Sequence, residues 1–164
     1  MAGIFEIEKV DPDRFGSERF NVRRDTKQVY FNYTPEFTDS DSADACVQVL
    51  TSDGHKGTCS HLNIFQDPFA FARDLRESLG WGEIPAVING GRDDIEASVQ
   101  LTTGLVRALK ANGFVISLDP KHSDVGGAFT RTTTLRKDGV KVCRKKYGKE
   151  IIEDEVELEF PRVE

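Results

Sequence analysis

The chain has 164 residues and a formal net charge of -6. That length suits one domain burying roughly 70 % of its unfolded surface, and the charge argues against wholesale binding to nucleic acid or anionic membrane, although a local basic patch can override the total. No apolar run approaches the ~20 residues needed to cross a bilayer, the start MAGIFEIEK lacks the basic head and long apolar stretch of a secretion signal, and three scattered cysteines make no disulfide framework. An acidic, soluble, cytoplasmic protein is expected.

Residues 3–34 read as a strand meander. Ile4-Phe5-Glu6-Ile7-Glu8 begins it, Asp11-Pro12-Asp13 and Gly16-Ser17 punctuate a turn, and Phe20-Asn21-Val22-Arg23 alternates apolar with polar residues. Asp25-Thr26-Lys27 supplies a short turn before the aromatic strand Val29-Tyr30-Phe31-Asn32-Tyr33, with Phe20, Val22, Val29 and Phe31 as core candidates. Tyr30 and Tyr33 either pack or form a binding face. Residues 34–45, TPEFTDSDSADA, read as an acidic, mobile loop. Asp39, Asp41 and Asp44 suggest calcium, but the glycine and closing glutamate of an EF-hand loop are missing.

Cys46-Val47-Gln48-Val49-Leu50 is a strand, turned by Ser52-Asp53-Gly54 into a second that runs through Cys59, His61 and Ile64. Cys46, His55, Cys59 and His61 are metal-ligand types that a hairpin can gather. No pair has the short spacing of a zinc module, so buried cysteines beside turn histidines are preferred, and no metal or cofactor is expected. Asp67-Pro68 starts a helix with a capping carboxylate and a first-turn proline. It continues through Phe69, Ala72, Leu75 and Leu79 to Gly80. Trp81, between two glycines, packs under its loop or anchors a partner.

The organising stretch runs from Ile84 to Asp119. Ala86-Val87-Ile88 and Phe114-Val115-Ile116 are apolar runs of the kind found in strands buried on both faces. Between them Ile95, Val99, Thr102, Leu105, Val106 and Leu109 recur with helical period, leaving Glu96, Gln100, Thr103, Arg107 and Lys110 on a wet face. Asp93, Asp94 and Glu96 suit the start of a helix and Lys110 its end, and Asn112-Gly113 terminates it. Loop lengths leave parallel and antiparallel arrangements of the flanking strands open.

After Leu118 comes a loop, 119–127, and then a threonine-rich strand, Ala128–Leu135. Asp138-Gly139 signals a hairpin leading to Val140–Cys143. Ile152–Phe160 alternates Val156, Leu158 and Phe160 with Glu155, Glu157 and Glu159. The expected fold is therefore α+β, one globular domain over 1–164. It has a mostly antiparallel sheet of six to nine strands with two helices packed against it, including a β-α-β unit at 84–119.

Three constellations carry functional expectations. If the strands flanking the long helix are parallel, their carboxyl ends bring together the loops 89–94 and 119–124, where ligands of open α/β sheets bind. There Gly90, Gly91 and Arg92 offer an anion site. Asp93, Asp94, Asp119, His122 and Asp124 offer a catalytic set for a metal- or phosphate-dependent hydrolase. Capping carboxylates beside a polar loop explain the same residues more simply. Second, Arg131, Arg136, Lys137, Lys141, Arg144, Lys145, Lys146 and Lys149 form a basic hairpin able to track a nucleic acid. Acidic residues 153–159 follow at once and can neutralise it. Third, the lack of any catalytic signature favours a non-enzymatic protein-binding module (inhibitor, immunity-type or adaptor) whose partner is another protein.

Overall fold

Ala86-Val87-Ile88 is apolar on both strand faces, so a sheet that contains it must be covered on both sides. The computed structural model describes residues 26–42, 46–80, 82–92, 94–118, 129–146 and 152–160, and in it Ala86, Val87 and Ile88 are each fully buried. The elements, in chain order, are β1 (Thr26–Tyr30), β2 (Glu36–Ser42), β3 (Val47–Ser52), β4 (Lys56–Leu62), α1 (Pro68–Ser78), β5 (Ile84–Gly90), α2 (Glu96–Ala111), β6 (Phe114–Leu118), β7 (Phe129–Arg136), β8 (Gly139–Lys146) and β9 (Ile152–Glu159). The α+β class, the two helices and the mostly antiparallel pairing are as expected. The strands divide into a five-stranded sheet, β1-β4-β3-β5-β6, and a four-stranded sheet, β2-β7-β8-β9.

Three layers result. Strand alternation sends Val47, Val49, Leu62, Ala86 and Ile88 to one face, where they pack against Phe71 and Leu75 of α1 and Leu101, Leu105 and Leu109 of α2. It sends Leu50, Cys59 and Val87 to the other, against Leu135, Val140, Val142 and Phe160. The second sheet lies on this face. Gly57 marks a place where the layers come close: a Cβ there would lie 2.6 Å from Phe31 Cζ and 2.8 Å from Leu135 Cδ2. Phe31 is buried and Val29 partly so, as expected.

Among the described residues only one strand pair is parallel. β5 and β6 align Ile84 with Phe114 through Ile88 with Leu118, so α2 is the crossover of a β-α-β unit, and the question that loop lengths left open is settled. α1 begins as its sequence demands, with Asp67 accepting from Phe69 N at 2.9 Å and proline in the first turn. Its C-terminal carbonyls are met from outside, Ser78 O accepting from Lys56 Nζ. Arg76 reaches across to Gly82 O at 2.6 Å, with its guanidinium 5.9 Å from the Phe114 ring centroid.

Several boundaries differ from expectation. α2 starts at Glu96 with Ile95 as its cap residue, later than the acidic run suggested. Its deepest face is Ser98, Leu101, Leu105, Ala108 and Leu109, while Ile95 and Val99 are only half-buried. Ser98 displaces Val99 from the buried face because its hydroxyl is used: it accepts from Arg92 N at 2.9 Å. Thr103 is buried rather than wet and returns its hydroxyl to Val99 O at 2.9 Å. Thr26 and Lys27 belong to β1 and not to a turn. The acidic stretch expected as a loop is largely β2, laddered from Glu36–Arg136 to Ser42–Thr130. Composition misled there because a threonine-rich partner strand supplies the pairing that the segment cannot supply for itself. The β7–β8 hairpin turns at Lys137-Asp138, with Gly139 already paired to Arg136. The strands expected at Ile4–Glu8 and Phe20–Arg23, and Trp81, lie outside the described residues.

Leu105 is fully buried between α2 and the sheet. Leu105→Asp is expected to destabilise the protein by several kcal/mol, through lost apolar burial and an unpaired carboxylate. Val99→Asp should lower the melting temperature much less. Equal losses in thermal denaturation would contradict this assignment of the buried face.

Candidate functional site

Parallel pairing of β5 and β6 places both carboxyl ends on one edge. There β5 ends in Gly90 and is followed by Gly91, at φ +94° and +87°, conformations that side chains resist. A Cβ on Gly91 would also sit 3.1 Å from Ser98 Oγ and 3.2 Å from Val47 Cγ2, so glycine lets β5 turn tightly against α2. Arg92, the expected anion ligand, is paired within its own loop: Nε lies 2.9 Å from Asp94 Oδ1 and a terminal nitrogen 2.6 Å from Oδ2. An incoming anion would have to displace Asp94. Asp93, Asp119, His122 and Asp124 lie outside the described residues.

One residue of this edge, Asn89, turns inward and leads to a feature that sequence reasoning missed. The ladder aligns Gln48 with His61 on one side and with Asn89 on the other, so His61, Gln48 and Asn89 form a row across β4, β3 and β5 on the face that meets the second sheet. Thr133 of β7 completes it from across the interface. Gln48 uses its full valence: Nε2 donates to Cys59 Sγ at 3.3 Å and His61 Nε2 at 3.2 Å, and Oε1 accepts from Thr133 Oγ1 at 2.9 Å and Asn89 Nδ2 at 3.2 Å. Asn89 Nδ2 also donates to Thr133 Oγ1 at 3.3 Å, whereas Asn89 Oδ1 has no hydrogen-bond partner among the described residues. Gln48, Asn89, Thr133 and Cys59 are each about 1 % exposed. The sequence signal was one polar residue inside each of two apolar strands, VQVL and AVING.

The four metal-ligand types do not converge. His55 sits at the β3–β4 turn, some 20 Å along the strand from His61 by ordinary strand rise. Cys59 and His61 share a face and are bridged by the Gln48 amide. No group of three or more His, Cys, Asp or Glu residues among the described residues could hold a metal ion.

The basic hairpin is interleaved with acid. On the outer face of the second sheet Arg136 pairs with Glu36 at 2.9 Å and Glu157 at 3.6 Å, and Lys141 with Glu155 at 2.9 Å. Lys137 is exposed at the turn and Lys145 half-buried on β8. In the ladder Arg131 lies opposite Arg144, Arg144 opposite Asp154, and Phe129 opposite Lys146. Hydrogen bonding and charge from Glu155 raise the Lys141 pKa, and Lys141 in turn lowers that of Glu155. The Cys143 thiol is pushed up, first by burial and then by its bond to Glu155 at 3.5 Å. A search against protein-family models and a search of curated proteins both find no match.

Two outcomes follow. Thr133→Val removes one hydrogen bond each from Gln48 Oε1 and Asn89 Nδ2, and should cost about 1–3 kcal/mol; an unchanged urea midpoint would contradict a structural role for the row. Because Cys143 retains its proton longer than an ordinary thiol, its alkylation by iodoacetamide at pH 8 should be slower than that of a free cysteine. Faster labelling would contradict the Glu155 contact.

Proposed function

We propose that this protein is a non-enzymatic binding module for another protein, and that it binds through the outer face and β9 edge of the four-stranded sheet. The observation that carries the reading is the ordering of that face. Glu36, Arg136 and Glu157 span β2, β7 and β9 in one paired row, Lys141 and Glu155 form another, and Thr38 and Thr134 bridge β2 and β7 at 3.2 Å. Both helices pack on the far face of the other sheet, so this surface stays open to a partner among the described elements. Charged side chains already held by their neighbours lose less freedom when a second protein docks. The exposed Glu155, Glu157 and Glu159 along β9 favour a partner that is basic where it meets this edge, and such complementarity chiefly accelerates association. The pairing of Arg136 and Lys141 with carboxylates weighs this reading above nucleic-acid binding. The engagement of Arg92 by Asp94 weighs it above anion-dependent hydrolysis.

With the protein as bait in an extract of its source cell, one stoichiometric partner should be recovered. Glu155→Lys combined with Glu157→Lys should slow its association roughly tenfold at low salt while leaving the fold intact by circular dichroism. A bait that recovers no partner, or a variant that associates at the wild-type rate, removes the proposal. Retardation of DNA or RNA in a low-salt mobility shift would replace it with the nucleic-acid reading.

A further inference from the structure

We infer that the inter-sheet row is a two-state hydrogen-bond relay in which the protonation of His61 decides whether Asn89 presents a buried acceptor or a buried donor. The argument is one of valence. An amide nitrogen can only donate, so the Gln48 Nε2 contact at 3.2 Å requires His61 Nε2 to be the unprotonated, accepting nitrogen. Neutral His61 in this arrangement therefore carries its proton on Nδ1. Gln48 Oε1 then faces inward and takes the Thr133 hydroxyl and the Asn89 amide. Asn89 Nδ2 is committed to Gln48 and Thr133, and the group left over is Oδ1. Rotating Asn89 alone would set its oxygen against Gln48 Oε1, acceptor to acceptor. The orientations of the two amides are locked together.

A proton added to His61 Nε2 sets donor against donor at Gln48. The repair is a rotation of both amides. Gln48 Oε1 then accepts from the imidazolium and from the Cys59 thiol. Gln48 Nε2 donates to Asn89 Oδ1 and Thr133 Oγ1, and the Thr133 hydroxyl donates to Asn89 Oδ1. Every bond of the row is remade in the opposite sense, and the leftover group at Asn89 becomes Nδ2. Within each amide the nitrogen and oxygen exchange places, and no other heavy atom has to move. Above the transition the buried end of the row complements a group that donates N–H or O–H; below it, the same place complements a carbonyl or carboxylate oxygen. His61 is half-buried and the other members of the row are buried, so the proton is taken up nearer the surface and its effect is felt inside.

The titratable and charged neighbours are Cys59 on the same strand, Lys27 aligned with Cys59 on β1, and Cys46 just before β3. On the facing sheet the backbone ladder aligns Asp39 with Thr133 and Asp41 with Arg131. The Lys27 ammonium lies 5.7 Å from the Phe37 ring centroid. The coupling of the two amides is set by the donors and acceptors alone.

The test is nuclear magnetic resonance of the full chain labelled with nitrogen-15, from about pH 8 to pH 5, the range in which histidine ordinarily titrates. At the alkaline end His61 Nε2 should resonate as an unprotonated ring nitrogen and Nδ1 as a protonated one. On acidification the Gln48 and Asn89 side-chain NH2 signals should move with the same midpoint as His61. Nuclear Overhauser contacts of the Gln48 NH2 protons should pass from Cys59 and His61 to Thr133. In His61→Phe that midpoint should vanish from both amides; should this variant not fold, the wild-type contacts decide alone. The inference is overturned if neutral His61 carries its proton on Nε2, if His61 stays neutral to pH 5, if the amide signals and contacts stay fixed through its transition, or if they still titrate in His61→Phe.

Discussion

The rest of the structure depends on β3 and β5 being enclosed from both sides. Val47, Val49, Ala86 and Ile88 face the helices while Leu50 and Val87 face the second sheet, and all are essentially inaccessible to water. Burying one such side chain is worth roughly 1.5–3 kcal/mol, so leaving either face bare would forfeit much of the margin by which a small domain is stable. The parallel β5-α2-β6 unit covers one face, because a parallel connection needs a crossover and here the crossover is a helix. Residues 36–42, 129–146 and 152–160 form the cover for the other.

That second cover is not apolar throughout. Toward the carboxyl end of β5 the interface changes from Leu50, Val87, Leu135 and Val140 to Gln48, Asn89, Thr133 and His61. Buried polar groups of this sort stabilise only when their partners are in place, and among the described residues this row satisfies all of them except one oxygen of Asn89. The outer face of the second sheet is built differently, from exposed ion pairs whose individual contributions are small but whose order makes a defined surface.

The fold was legible where the signal was local. The Asp67-Pro68 start of α1, the Asn112-Gly113 end of α2 and the double-faced run at 86–88 can be read residue by residue, and each stands where its chemistry puts it; the run at 114–116 does form a strand, but as the last of its sheet it buries Phe114 and leaves Val115 and Ile116 half-buried. Legibility failed where a distant partner decides. Glu36–Ser42 has the composition of a loop and becomes a strand because β7, nearly a hundred residues later, pairs with it. Ile95 and Val99 fit a helical stripe, but Ser98 holds the buried position because Arg92 N needs its hydroxyl. Of the candidate site, Gly90, Gly91 and Arg92 were recognisable from spacing; that Arg92 turns to Asp94 was not. The polar row was hidden for the same reason, since Gln48 and Thr133 are 85 residues apart.

Enclosure of β3 and β5 is tested most directly by native-state hydrogen exchange, which ranks the backbone amides by the free energy needed to expose them. The account predicts that laddered amides of Val47–Thr51 and Ala86–Asn89 exchange slowest, near the rate set by global unfolding, while those of the edge strands β2 and β9 exchange orders of magnitude sooner. Amides of β5 that exchange as fast as those of β9 would contradict it.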